Sequence, residues 1–423
     1  MGIADGLAEL LGGDLPIAID AYDGSHTGPS DARATLVLKS PNALRRVVTA
    51  PNDLGIGRAF VAGELDLEGD IYEALKVAER LPDIKFDAPS IAKIARMIDW
   101  RSLGTLKPLS VPPEEIRLHG RLHTKARDEQ AVSHHYNVSN EFYRIVLGPT
   151  MTYSCALWET PDLGLDAAQA AKHDLVCRKL ALRPGMRLLD IGCGWGSMAI
   201  HAAQRYGVQV VGVTLSDRQA EHARERVERA GVADLVEIRK QDYRDVHDGP
   251  YEAISSIGMF EHVGLEQLDR YFACAYALLR PGGRFLNHAI SRPPAAPATV
   301  RQYLHLQKRH GPVRGFLARY VFPDGELHEV GQVVSGIQRA GFEARHCESL
   351  REHYALTLRA WVDNLDADIA RALTFVTPGR LRVWRLYMAA SAMNFEQNRT
   401  QVHQVLAVRP DGGRSGMGLR PDW

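Results

Sequence analysis

A carboxylate and an imidazole, Glu261 and His288, each stand at the end of a strand-like run, and a glycine-rich turn stands at the end of another. The turn reads Leu189-Asp190-Ile191-Gly192-Cys193-Gly194-Trp195-Gly196, between the apolar run Arg187–Ile191 and a small-residue helix beginning at Ser197. Glycines at 192, 194 and 196 permit a tight strand-to-helix turn and a close approach of backbone to ligand. Dinucleotide enzymes use a similar device with G-x-G-x-x-G spacing. G-x-G-x-G, with Asp190 two residues ahead of the first glycine, fits the nucleoside-sulfonium ligand S-adenosyl-L-methionine better than a pyrophosphate on a helix N-terminus. Methyl transfer is the chemistry this segment predicts.

An acid or histidine at one strand end is most often a cap or a solvated group. Here Gly258-Met259-Phe260-Glu261-His262-Val263-Gly264 follows the fourth strand and Asn287-His288-Ala289-Ile290 ends the fifth. Two such groups at adjacent strand ends, beside a cofactor turn, read as a functional pair. Strand two ends in Thr214-Leu215-Ser216, without the acid that commonly binds ribose hydroxyls, which leaves Gln219 or Asp217 to read the sugar. Alternatively Asp217 merely caps the next helix, a role that Ser216-Asp217 suits. Asp242, in Gln241-Asp242-Tyr243, is placed to accept from an adenine amino group. The paired His134 and His135 lack a third metal ligand at sensible spacing, so no metal is expected. Cys155 has no neighbouring base in the local sequence, which argues against covalent catalysis.

The elements that must hold these residues alternate. Strands are predicted at Arg187–Ile191, Gln209–Thr214, Val236–Gln241, Glu252–Ile257 and Arg284–Ile290, with helices at Ser197–Tyr206, Asp217–Ala230 and Glu266–Leu279. This is the pattern of an α/β, doubly wound, mainly parallel Rossmann-like sheet, with ligands outside the carboxyl ends of the strands. Late strands at Glu343–Ser349 and Val402–Val408 would close its far edge. Ahead of it, residues 1–102 read as a smaller α+β domain. It has a helix over Leu7–Leu11, strands at Ile17–Ala21 and Ala34–Leu38, and a helix at Asn42–Val48. A two-strand signal follows around Ala59–Leu67, then a helix at Ile71–Leu81. Residues 103–125, with Pro108, Pro112, Pro113 and a basic run through Arg117, His119, Arg121, His123, Lys125 and Arg127, read as an interdomain linker. The catalytic domain is then 126–423. His134–Tyr143 reads as an aromatic-rich helical lid.

Lys plus Arg equals Asp plus Glu at 51 each, which removes the simplest argument for a nucleic-acid partner. The five cysteines (155, 177, 193, 274, 347) are odd in number and form no C-x-x-C pair, the usage of a reduced, cytoplasmic protein. No apolar run is long enough to span a bilayer, and Met1-Gly2-Ile3-Ala4-Asp5-Gly6 carries neither a basic n-region nor a full myristoylation signal. Any membrane contact is therefore expected to be peripheral.

At these residues the chain resembles the cyclopropane-fatty-acyl-phospholipid synthase family, with its related mycolic acid methyltransferases. The resemblance rests on His135–Tyr143, Met151–Trp158, Leu189–Ser197, Val213–Gln219, Asp242–Asp245, Ser255–Gly264, Arg319–Leu327 and His353–Trp361, in order. It implies a class I S-adenosylmethionine-dependent methyltransferase acting on the cis double bond of unsaturated acyl chains in membrane phospholipids. A carbocation would form, lose a proton to bound bicarbonate, and close to a cyclopropane ring. Such a cation needs an apolar, water-excluding tunnel with aromatic faces, which Phe260 and the aromatics around 136–158 suit.

The resemblance places bicarbonate on Cys155, Glu261, His288, the backbone of Ile290, and Tyr354. It places the cofactor on Tyr153, Ser154, Gly192, Gly194, Trp195, Thr214, Leu215, Gln219, Asp242 and Tyr243, to which the turn itself adds Asp190 and Gly196. It also implies a homodimer at the membrane surface. The family shares the Thr-Leu-Ser strand end with its following Gln; Asn287 departs from the apolar residue expected there and bears on the tunnel edge. The N-terminal domain resembles sterol-carrier-type lipid-binding domains, with a structural cap as the alternative. The basic linker and Lys308–Arg319 are candidate headgroup contacts, or solvated faces.

Three rivals remain. A cation losing its proton elsewhere leaves a methylene or methyl branch instead of a ring. A nucleic-acid base methyltransferase would want an Asp/Asn-Pro-Pro-aromatic motif where Gly258-Met259-Phe260-Glu261 stands. A lipid carrier using the first domain alone leaves the aligned site residues unexplained.

Overall fold

The computed structural model describes residues 2–50, 53–78, 109–116, 124–125, 127–128, 130, 139–294, 315–421 and 423. The chain divides into two compact units. One comprises Met1–Arg117 with Leu304–Val321 and Val376–Ala390; the other comprises the remaining segments.

The first unit holds a four-stranded sheet of β1 (Ala18–Ala21), β2 (His26–Thr27), β3 (Ala34–Leu38) and β4 (Leu65–Gly69), in the order β2-β1-β3-β4. β1 and β3 run parallel, while the two edges pair antiparallel. Helices α1 (Ile3–Leu10), α2 (Pro41–Thr49), α3 (Asp53–Val61) and α4 (Ile71–Ala78) pack with it around Ile17, Ile19, Leu38, Leu44 and Val77. Ser40 starts α2, its side chain accepting from Asn42 N, with Pro41 at the first helical position, where no amide donor is needed.

Two expectations change in this unit. Ala59, Phe60 and Val61 close helix α3 instead of opening a strand, so the two-strand signal reduces to β4 alone. Their short apolar run is buried on the core side of the helix, where periodicity does not separate helix from strand. Residues 109–116, expected in a loose linker, are anchored. Arg58 grips Glu115 in a bidentate pair at 2.7 and 2.8 Å, and Arg46 donates to Ser110 O at 2.9 Å. The contiguous boundaries at 102 and 125 therefore do not describe the units, since residues 109–116 and 376–390 both group with the first.

The second unit is a seven-stranded sheet of β5 (Arg187–Ile191), β6 (Gln209–Thr214), β7 (Val236–Lys240), β8 (Tyr251–Ile257), β9 (Leu279–Ser291), β10 (Glu343–Ser349) and β11 (Gln401–Val408). Its order is β10-β11-β9-β8-β5-β6-β7. The pairs β5–β6, β6–β7, β5–β8 and β8–β9 are parallel, and β11 runs antiparallel between β9 and β10. The two late strands do close the far edge. Alternation along the strands divides the core: Leu188 and Val210 face one layer, Leu189, Val211 and Val213 the other. The first layer is covered by α6 (Leu165–Lys179), α7 (Ser197–Tyr206) and α8 (Asp217–Arg229), the second by α9 (Leu268–Leu278) and α11 (Val330–Arg339). The short α10 (Phe316–Tyr320) groups with the first unit, and α12 (Arg351–Ala367) with the second. Chain order reverses at β5, which has β6 on one side and β8 on the other. The crevice above its carboxyl end is where a doubly wound sheet binds ligands.

Candidate functional site

The cavity above β5 is built from the glycine turn outward. Gly192, Gly194 and Gly196 all take positive φ, at 80°, 53° and 78°. A Cβ on Gly192 would lie 2.8 Å from Met259 Cβ, so this position admits no side chain. Around the turn, Tyr153, Ser154, Asp190, Trp195, Thr214, Leu215, Gln219, Asp242 and Tyr243 line one cavity with Gly192 and Gly194. Gly196 lies behind it, capping α7.

The side chains there are held by named partners. Thr214 Oγ1 donates to Gln219 Oε1 at 2.8 Å, which positions the polar pair at the end of β6. Ser216 caps α8 through Gln219 N, so the capping role falls to Ser216, while Asp217 is the first helical residue. Burial raises the Asp242 carboxyl, but hydrogen bonds from the Arg244 backbone and guanidinium outweigh it and hold the group below its usual range. Trp195 donates to Asn140 Oδ1 at 3.0 Å and packs on Tyr143 with ring centroids 4.6 Å apart. Asn140 opens helix α5 (Asn140–Leu147), capped by Ser139. This is the described part of the expected lid; residues 134–138 lie outside the described residues.

Lys172, on α6, is a cavity residue that sequence reasoning missed. It is buried, and its ammonium donates to Ser154 Oγ at 2.9 Å. Burial pulls it down to about 7 despite nearby Cys155 and Asp190. Asp190 moves the other way, pushed up by burial to about 6 against the Ser255 hydroxyl bond at 2.7 Å and the Lys172 charge. Gln169, one turn earlier, donates to Ser154 O at 2.9 Å. The signal was present but disguised: α6 turns Gln169, Lys172, His173 and Lys179 inward, which erases the apolar stripe that marks a helix.

Cys155, Glu261, His288, Ile290 and Tyr354 are not among the residues that line this cavity. Glu261, in the single turn Phe260–His262 after β8, has Oε1 accepting from Ile290 N at 2.6 Å, while Oε2 is buried without a partner among the described residues. Burial lifts its carboxyl to about 7 against that amide bond. The Ile290 amide, assigned to bicarbonate by resemblance, is thus already committed to Glu261. His288 accepts at Nδ1 from Gln404 Nε2 at 3.1 Å, and its Nε2 is buried and unpartnered among the described residues. Burial and the charges of Lys172, Lys179 and His403 hold the imidazole well below its usual value, so it is neutral.

Cys155 donates to Leu350 O at 3.5 Å, and burial pushes its thiol up, which leaves a neutral SH and no nucleophile. Tyr354 on α12 is buried between Trp361 and Phe395, with centroids 6.0 and 4.6 Å away. Tyr153 packs against both Tyr143 and Trp361. Tyr143 of α5, Tyr153, and Tyr354 and Trp361 of α12 therefore form one connected set of rings, of which Tyr153 lines the cavity.

The chain matches the family described as mycolic acid cyclopropane synthetase over residues 123–405. It is 43% identical over 424 residues to a probable fatty acid methyltransferase of Mycobacterium tuberculosis, covering 97% of this chain and 95% of that protein. The chain belongs to the mycolic acid cyclopropane synthetase family. A probable fatty acid methyltransferase of Pseudomonas putida is 40% identical, covering 94% of this chain and 92% of the relative. Among solved structures, mycolic acid cyclopropane synthase CmaA1 complexed with SAH and CTAB aligns with a TM-score of 0.60 and 34% identity, over 66% of this chain and 97% of that one. The family's class I S-adenosylmethionine-dependent methyltransferase fold is thus the fold of the second unit.

Proposed function

We propose that this protein transfers the methyl group of S-adenosylmethionine to the double bond of an unsaturated fatty acyl chain. One observation carries the reading: a glycine-turn cavity that suits a nucleoside-sulfonium cofactor is lined by Tyr153 and Trp195 and by Gly258, Met259, His262 and Val263, the chain neighbours of the buried Glu261. The cofactor supplies an electrophilic methyl group. The protein's own residues do the rest. Gly192 and Gly194 let the backbone approach the ligand; Thr214, Gln219 and Asp242 offer polar atoms to its nucleoside; Lys172 and Ser154 polarise the far wall. Tyr153, Tyr143, Trp361 and Tyr354 shield a developing cation from water and offer ring faces that stabilise it.

The two relatives above are named fatty acid methyltransferases, which favours a methyl- or methylene-branched product. A cyclopropane ring is the second reading, favoured by the presence together of Cys155, Glu261, His288 and Tyr354. For bicarbonate the polar atoms fit in part. An unpartnered Glu261 Oε2 accepts from a hydroxyl and a free His288 nitrogen meets an oxyanion, while the Ile290 amide is engaged. When bound, such an anion supplies a proton acceptor beside the cation.

The first unit fits the lipid-binding reading. Its core residues Leu7, Leu11, Leu36, Leu44, Ile56 and Leu67, among others, line an almost wholly apolar cavity suited to a hydrocarbon chain. Among the described residues no helix is long and apolar enough to cross a membrane. Of the basic headgroup candidates, Arg319 pairs with Glu115 at 3.7 Å, and 308–314 lie outside the described residues.

The test is expression in a host lacking such activity, followed by mass spectrometry of phospholipid acyl chains. A gain of one CH2 supports the proposal, and diagnostic fragments separate ring from branch. Unchanged lipids would overturn it.

A further inference from the structure

Behind His288 the fold builds a chain of hydrogen bonds that methyl transfer does not by itself explain. Lys179, the last residue of α6, is fully buried; its Nζ contacts Glu348 Oε2 on β10 and donates to Gln404 Oε1 on β11 at 2.7 Å. An ammonium has donors and no acceptor. The amide oxygen of Gln404 must therefore face Lys179, and its NH2 group must face away. There it meets His288 Nδ1, directly across the β9–β11 ladder, where Gln404 and His288 are register partners. An amide NH2 donates, so Nδ1 accepts and the single proton of the neutral ring sits on Nε2. That nitrogen is buried with no partner among the described residues.

We propose that Gln404, oriented by Lys179 and Glu348, is a positioning residue that locks His288 as an Nε2–H donor for a bound oxyanion. The inference rests on the reading of His288 as a site residue and deepens it. A ring fixed in this tautomer offers no lone pair at Nε2, so His288 holds an acceptor oxygen and does not itself take the proton. The identity of the ring's partner follows: a species with acceptor oxygens, such as a carbonate-type or carboxylate anion. A hydroxyl or water serving only as donor does not fit. Gln404 could not be found from the sequence because its role depends on a lysine 225 residues earlier in the chain. Nothing local marks it.

The test uses the full chain labelled with 15N-histidine and long-range proton–nitrogen correlation spectra, in which protonated and bare ring nitrogens are well separated. In the unmodified protein His288 is expected to carry its proton on Nε2. Gln404→Glu is nearly isosteric and accepts from both sides, so it is expected to draw a proton onto Nδ1. Turnover should fall about 100-fold, the scale of losing one preorganised donor, while S-adenosylhomocysteine affinity by calorimetry stays within about two-fold. Lys179→Met frees the amide to rotate and should give mixed tautomers.

A proton on Nδ1 in the unmodified protein would overturn the proposal, and this spectrum is decisive even if a variant fails to fold. An unchanged tautomer and turnover in Gln404→Glu would also overturn it. A correct tautomer in a protein that modifies no lipid would sink the proposed function and leave the lock standing.

Discussion

Glu261 shows how burial sets the behaviour of a single residue. One carboxylate oxygen is bonded to Ile290 N, the other has no partner among the described residues, and the group is lifted to about 7. Its folded value lies above its unfolded one. Its contribution to stability is therefore fully present below the ordinary carboxylate range and is lost as pH rises through about 7. Glu261→Gln keeps the shape and removes the ionisation. In denaturant titrations the variant should match the parent near pH 5 and exceed it by about 1–3 kcal/mol near pH 9. Its lipid turnover should vanish while S-adenosylhomocysteine binding stays nearly intact; a collapse of that binding would contradict the assigned role. Glu261 and His288 were legible because strand ends announce themselves in sequence. Lys172, Gln404 and Lys179 were not, since each gains its meaning from a partner far along the chain.

At the scale of elements, the glycine turn separates two costs. Gly192 combines positive φ with a Met259 contact that a methyl group would enter at 2.8 Å, whereas a Cβ on Gly194 would meet nothing nearer than Gln219 Nε2 at 3.9 Å. Gly192→Ala should thus destabilise by more than the about 1–2 kcal/mol that a left-handed alanine costs, and Gly194→Ala by about that amount. Both should weaken S-adenosylhomocysteine binding in calorimetry. An equal stability loss for the two would contradict the contact with Met259. The strands and the mainly parallel sheet could be anticipated because strand-like runs and turn residues alternate with helices along the chain, while the strand order came from the structure. Helix α6 could not, because its buried face carries Gln169, Lys172, His173 and Lys179. Ala59–Val61 misled for the opposite reason: an apolar run that short suits either element.

At the scale of the whole molecule, the chain forms two units with separate cores. Residues 109–116 and 376–390 belong with the first; the prolines of the former read as a linker, and no compositional shift marks the latter. Such membership is set by long-range pairs, Arg58 with Glu115 and Thr377 with Glu114. If the apolar cavity of the first unit takes an acyl chain, Ala74→Phe, which fills it, should weaken binding of a fluorescent fatty acid about ten-fold. S-adenosylhomocysteine affinity should not change, and unaltered fatty acid binding would exclude the cavity. The central claim concerns the second unit. The most direct measurement incubates the purified full chain with S-adenosylmethionine carrying a trideuterated methyl group and vesicles of unsaturated phospholipid, then counts deuterium in the acyl chains by mass spectrometry. The account predicts labelled chains one carbon heavier. Two retained deuteriums without an olefin mark a ring, two with a terminal =CD2 group a methylene branch formed by a hydride shift and loss of a deuteron from the methyl, and three a methyl branch formed by loss of a chain proton. Acyl chains that gain no label would contradict it.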